Sequence, residues 1–359
     1  MSSSNPSSLS STSNADAYTY GKQYADELCM TFHNYSLYEC ALIILNEPDP
    51  QIKAQKTFAI YKAYQENLLT FEKFISPSSS SSVPLSLPSK PARPDYVTEV
   101  DARKVKSNSK KSMIHALIHA ESYAIDLAWD VIARFGYNPE TWIIPHDMEG
   151  TMSTYQSTSA DATSTTVPLT QAPKEFFDDW IKVASEEALH FTKWRLRLLE
   201  FGGHYGEFPG HQGLWESAEE TSLSSIARMS IVHCVLEARG LDVAPIMRTK
   251  FEKSQDYASI EILDQNHKEE IGHVHYGKKW FEWFLQYNHY NSTDTIDIFH
   301  KFVKTYFRGI LRPPFNDTSR QLAGFTSEWY VPLSKADFNP NINNNTNTNN
   351  EETNDEETE

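Results

Sequence analysis

Cysteine is scarce in this chain: Cys29, Cys40 and Cys234 are the only three among 359 residues. They are too few and too scattered for a disulfide framework or a thiolate metal site, which points to a reducing compartment. Long apolar runs are missing too. No stretch approaches the roughly 18 uninterrupted apolar residues of a membrane span, so none is expected. Positive charge is in deficit, with a formal net charge of −16 and six acidic residues within Glu351–Glu359. The body is acidic even without that tail. A broad nucleic-acid surface is therefore disfavoured, although a local basic groove remains open. The first residues, Met1 to Ala17, carry no apolar run and neither Lys nor Arg. They resemble neither a secretory signal nor an Arg-rich transit peptide, and a cytoplasmic protein is the expectation.

What is present suits a globular protein diluted by polar tracts, with 39% hydrophobic and 13% aromatic residues. Residues 1–17 read as a disordered Ser-rich leader. Residues 76–95, a serine run broken by five prolines, read as a linker or a strap across the surface. A second polar insert spans 147–172, and the Asn-rich, then acidic tail over 336–359 reads as disordered. Between them, residues 18–335 are expected to form one helical domain, because strand-like alternation is nearly absent. Helical periodicity covers Ser36–Asn46, Pro50–Phe74, Lys111–Phe135, Pro173–Phe201, Ser217–Arg239, about Phe251–Tyr287, and Ile296–Leu311. The fold expected is all-α, a four-helix bundle of the long central segments with additional N- and C-terminal helices.

Glu186-Glu187-Ala188-Leu189-His190 recurs 83 residues later as Glu269-Glu270-Ile271-Gly272-His273. Two Glu-x-x-His pairs plus one glutamate from each of two further helices is the ligand set with which a four-helix bundle holds two metal ions. The candidate single glutamates are Glu121 and Glu237. Glu121 lies in the apolar stripe Ile114, Leu117, Ile125, Ala128, Ile132, and Glu187 in the stripe Phe177, Trp180, Ala184, Phe191, Trp194. A carboxylate on a buried face needs a cation, a hydrogen-bond network or a proton. Glu270 and His273 share a less tidy face with Leu263, Asn266, Gly277 and Trp280. Glu237 is the weakest case, since Met229, Val232 and Leu236 lie beside it. One Glu-x-x-His arises often by chance; two copies on core-facing stripes do not. The spacing selects Glu121, Glu187, His190, Glu237, Glu270 and His273 as metal ligands, with Glu186 and Glu269 as solvated or outer neighbours.

Other polar groups have plainer readings. His115 and His119 stand i, i+4, but no third zinc ligand matches them. Asp126 reads as a surface or salt-bridging residue, His233 as a hydrogen-bonding neighbour of the site, and His267 and His275 as peripheral. Tyr205–His211 reads as a structural loop set by glycine and proline. Lys301, Lys304, Arg308, Arg312 and Arg320, interleaved with aromatics, form a basic cluster that can grip a phosphate or, more simply, flank amphipathic packing.

Taken with His119–Asp130, Leu236–Asp242 and Tyr306–Asn316, the two Glu-x-x-His pairs make residues 36–330 resemble a family of ferritin-like domain proteins without an assigned reaction. The resemblance implies a ferritin-like bundle with a carboxylate-bridged di-metal centre. Two ions, iron first and manganese second, are the expected cofactors. The leading expectation is a non-haem di-iron oxidoreductase that uses dioxygen and an unnamed electron donor on an organic small molecule or, through the basic cluster, on RNA. Metal handling without organic turnover, and a non-catalytic helical interaction protein, are the other two classes weighed.

Overall fold

A computed structural model of the chain describes residues 14–73, 86–106, 109–144 and 169–334. Most of the leader, part of the Ser/Pro-rich linker, most of the 147–172 insert and the acidic tail lie outside the described residues. Those described form helices and connecting loops. The strand-like pairings among them are two isolated bridges, Ser36 with Thr70 and Glu99 with Gly210. The all-helical expectation holds, and among the described residues no helix is long and apolar enough to cross a membrane.

Three helices open the chain: α1 (Asn14–Leu28), α2 (Leu37–Leu45) and α3 (Pro50–Gln65). The first takes in Asn14–Ala17, which composition assigns to the leader. Ser36 and Glu39 close a capping box on α2, and Asp49 caps α3 ahead of Pro50, as the sequence pattern of cap and N-terminal proline requires. Two long helices follow, α4 (Lys110–Phe135) and α5 (Lys174–Glu200), within a residue of the ranges their periodicity predicts. The short α6 (Gly213–Glu220) leads into α7, a continuous rod that is α-helical over Ser225–Arg228, π-helical over Met229–Leu236 and α-helical again over Glu237–Lys253. The long α8 (Tyr257–Tyr287) comes next, and α9 (Thr295–Tyr306), α10 (Asp317–Leu322) and α11 (Ser327–Tyr330) complete the fold.

Helix ends depart from expectation where the stop is not a glycine. Helices α3, α5, α7 and α8 each close with the paired backbone bonds of a Schellman motif around a residue at positive φ. That residue is Gly202 after α5 (φ 66°), but Asn67 (φ 55°), Gln255 (φ 54°) and His289 (φ 61°) after the others. Glycine is the residue that fits this position without strain. Gln255 therefore gives no warning, and Phe251, expected at the start of the last long helix, closes α7 instead. The expected Ser217–Arg239 helix is in fact broken at Thr221–Ser224, where Ser224 accepts from the Ala227 amide and caps a new start. Short hydroxyl side chains compete for backbone amides in this way.

α4 packs along α5, α7 along α8, and α5 against α8, while α3 covers the outer side of α5 and α1 lies on α3. The described part of the proline-rich linker is a strap on this body. Ala92 donates its amide to the Leu45 carbonyl, and the guanidinium of Arg93 sits 3.3 Å above the Tyr123 ring. The carboxylates of α4 that face away from the centre are buried and paired, Asp126 with Lys53 and Asp130 with Arg228 and Arg134. Asp126 thus takes a salt-bridging role, but in the core and not at the surface.

The Tyr205–His211 loop has the structural role expected of it. Gly206, at φ 96°, donates its amide to His115 Nε2 over 2.9 Å. A Cβ on Gly210 would sit 2.4 Å from the His119 imidazole. His119 Nε2 meets the His211 carbonyl at 3.0 Å and Nδ1 meets the Tyr205 hydroxyl at 2.9 Å, so both nitrogens of His119 are engaged and the i, i+4 pair does not form a zinc site. Burial lowers the pKa of His115 to about 4, with Glu207 opposing weakly. The unfolded chain, with an ordinary histidine near 6.5, binds a proton that the native state refuses between those values. Stability is therefore full above about pH 6.5 and lost as pH falls towards 4, by up to about 1.4 kcal/mol per pH unit from this group. His115→Gln, which keeps an acceptor for Gly206, should flatten that part of a denaturation-versus-pH curve; an unchanged slope would exclude His115 as its source.

Candidate metal centre

α4, α5 and α8 bring the motif residues to one point in the core. Glu187, His190 and His273 are buried, and Glu121 and Glu270 are nearly so. One ligand atom each from Glu121, Glu187, His190 and Glu270 lies within 4.8 Å of the others. His190 Nδ1 stands 3.9 Å from Glu121 Oε2, 3.4 Å from Glu187 Oε2 and 3.2 Å from Glu270 Oε1. His273 Nδ1 stands 2.8 Å from Glu187 Oε1 and 3.5 Å from Glu270 Oε2. Glu187 and Glu270 thus each turn one oxygen to one imidazole and the second oxygen to the other. The two rings lie 5.7 Å apart.

Glu237 arrives by a different route. It begins the second α-helical part of α7, directly after the π-helical turn, a distortion often found at functional sites. The turn is accommodated by Gly277 of α8, where a Cβ would lie 2.2 Å from the His233 carbonyl oxygen. Glu237 lines one cavity together with Glu121, Glu187 and Glu270. All six predicted residues therefore converge, four in the tight cluster and His273 and Glu237 beside it. His233 does not hydrogen-bond to the cluster. Its ring packs 4.4 Å from that of Trp180.

The doubled glutamates have a role that spacing alone conceals. His190 Nε2 reaches Glu269 Oε2 at 2.6 Å, and His273 Nε2 reaches Glu186 Oε2 at 3.0 Å. Each Glu-Glu-x-x-His segment thus holds the histidine of the other. Such a carboxylate partner fixes the ring and leaves Nδ1 as the inward donor atom. If a metal binds at Nδ1, Glu269→Ala and Glu186→Ala should each weaken it about 10- to 100-fold while the fold persists; chelator competition would show it, and unchanged affinity would reduce these contacts to packing.

The electrostatics fit a site for cations. Burial drives the Glu121 and Glu237 carboxyls well above the usual range, reinforced by the charges of Glu187 and Glu270 respectively. Burial alone would depress both histidines, but Glu187, Glu269 and Glu270 raise His190, and Glu187, Glu270 and Glu186 raise His273. The protein thus gathers protons to balance clustered negative charge. Glu187 Oε2, His190 Nδ1 and His273 Nδ1 are nevertheless buried, and although carboxylate and imidazole atoms approach to 2.8–3.4 Å, none of the three makes a contact with hydrogen-bond geometry, a costly state for polar atoms. A bound metal ion would supply such atoms with a partner and offset the negative charge of the cluster.

An all-helical protein with a buried carboxylate–imidazole cluster is the class that fold and site define. The chain belongs to the family described as "Protein of unknown function (DUF455)", whose match runs over residues 46–331 and includes all six cluster residues. It is 33% identical over 214 residues to a protein of Haemophilus influenzae (strain ATCC 51907 / DSM 11121 / KW20 / Rd) described as "Uncharacterized protein". The aligned part is 59% of this chain and 64% of that relative, so the chain spans under two thirds of the relative's length. No solved structure matches.

Proposed function

We propose that this protein is a ferritin-like di-metal carboxylate protein acting as a non-haem di-iron oxidoreductase. The observation that carries the reading is the two-sided placement of Glu187 and Glu270 between His190 and His273. Glu121, Glu187 and His190 would hold one ion and Glu237, Glu270 and His273 the second. Iron suits this oxygen-rich, imidazole-containing set, and manganese fits it next. When bound, the pair would supply activation of dioxygen for hydroxylation or oxidation of an organic molecule.

The chain's own part is to hold, orient and exclude. Glu269 and Glu186 set both imidazole planes. Glu121 and Glu237 keep protons at the wall of the cavity, where metal binding would displace them. Leu117, Ala120, Val243 and Leu263 make the cavity wall on the carboxylate face largely apolar. RNA loses its main argument, because the basic cluster is divided. Arg320 is buried against Asp242 at 2.7 Å, and Arg308 pairs with Glu220 at 2.5 Å. A small molecule is the substrate we infer.

The test is anaerobic titration with ferrous iron, a count of bound iron, and then admission of oxygen with the absorption spectrum recorded. About two irons per chain and an oxygen-dependent spectral change are expected. No stoichiometric iron would overturn the di-iron reading. A single burst of oxygen uptake per loaded protein, unaffected by any organic compound, would move it to metal handling.

A further inference from the structure

The cavity on the carboxylate side of the cluster has a volume of about 200 Å³, and a second cavity of about 270 Å³ adjoins it. Each alone is below the roughly 300–1,000 Å³ of sites for drug-sized ligands. α4 lines the near one with Leu117, Ala120, Glu121 and Ala124, and the far one with Ala116, His119, Ala120 and Tyr123. The second set is the first shifted back by one residue, which is about 100° round a helix. The cavities therefore lie on neighbouring faces of α4 and meet at Ala120, which lines both, as does Leu214 of α6. Ala120 is exposed, so the ridge between them is a methyl group open to solvent. Glu121 and Glu270, which line the near cavity, keep 14% and 18% of their side chains exposed. The cluster can thus be reached from this side.

Charge narrows the occupant. Among the described residues no lysine or arginine lines either cavity, whereas Glu121, Glu187, Glu237 and Glu270 line the near one. An anion would meet repulsion there and no partner. The far cavity has little for a polar group, since His119 has both ring nitrogens engaged and Tyr123 gives its hydroxyl to Glu99. We propose that the two cavities form one trough for an uncharged, mainly aliphatic chain, which crosses α4 over Ala120 with its inner end beside Glu121 and Glu270. The proposal deepens the di-metal reading by naming its substrate class, and rests on that reading only in calling the chain a substrate. An arc of about 100° on a helix about 11 Å across is about 10 Å long. Tetrahedral bonds of about 1.5 Å advance about 1.25 Å each, so about eight carbons join one cavity to the other.

The test uses the full-length protein and a series of straight-chain alcohols: butanol, hexanol, octanol and decanol. Each carries a terminal trifluoromethyl group and is titrated by fluorine NMR. Affinity should climb about two- to fourfold for each added methylene as far as octanol, and level off by decanol. Ala120→Phe raises the ridge, and Ala116→Trp fills the far cavity, where Ala116 is half-buried. In both variants butanol should bind as in the parent, while the climb should stop at hexanol, a loss of roughly four- to fifteenfold for octanol. The two substitutions act at different points, so a folding defect in one leaves the other to decide. An undiminished climb to octanol in a folded variant, affinity independent of length in the parent, or binding of no alcohol would overturn the proposal. Bound iron is counted on the same samples. The expected length dependence in a protein that takes up no iron would support the trough and sink the di-metal reading; iron uptake with a flat length dependence would do the reverse.

Discussion

Glu187→Ala should empty the proposed metal centre, taking bound iron from the expected two or so per chain to none that survives a weak chelator. The effect should exceed that of Glu186→Ala or Glu269→Ala, because Glu187 faces both imidazoles and they face only one each. Its removal leaves Glu270 as the single carboxylate between the two rings. On the proposed di-iron function, oxygen-dependent turnover should disappear with the metal. The fold should not. Glu187 adds negative charge that raises its neighbours Glu121 and Glu237, so the metal-free variant should melt no lower than the metal-free parent. Stability sacrificed at a functional site is commonly regained when the site is removed. The checks are metal content by mass spectrometry and paired thermal melts. Stoichiometric iron in Glu187→Ala would remove Glu187 from the ligand set and the two-ion assignment with it.

Much of this centre is legible in the sequence because helix periodicity carries it. α4 and α5 are regular, so the stripes through Glu121 and Glu187 translate directly into one buried face. Glu237 is the ambiguous residue, and the reason is physical. The π-helical turn over Met229–Leu236 changes the phase of α7 just before it, so a stripe counted in steps of three and four across that turn points wrongly. The only trace in the sequence is Gly277, and its meaning depends on a contact between two helices. The crossing of Glu186 to His273 and Glu269 to His190 is hidden for a similar reason. Adjacent glutamates on one helix point to different sides, and which side matters is set by the facing helix. Lys193 and Asn266 leave no signal at all beyond position on a face, since their pairing joins α5 to α8. Non-glycine stops at Asn67, Gln255 and His289 likewise mislead the helix boundaries.

Lys53→Met should be the most destabilising single change away from the metal centre. Lys53 and Asp126 form an ion pair with both side chains fully buried. Burial lowers the Lys53 pKa to about 8 even though Asp126 pulls it up, and burial raises Asp126 against the pull of Lys53 and Arg93. Methionine would fill the space of the lysine stem but leave Asp126 with only Arg93, 3.5 Å away. Breaking a buried pair from one side costs about 3–5 kcal/mol, or roughly 5–15 °C in melting temperature. The double variant Lys53→Met with Asp126→Leu should recover most of that loss, because no charge is then left buried alone. Recovery should be incomplete for a local reason. Lys53 Nζ also donates to the Ala92 carbonyl at 3.1 Å, so it fastens the strap whose next residue, Arg93, caps the Tyr123 ring. Denaturant melts of the two singles and the double would give the coupling energy. A double variant no more stable than Lys53→Met would mean that the lysine acts through the strap and not through its charge partner.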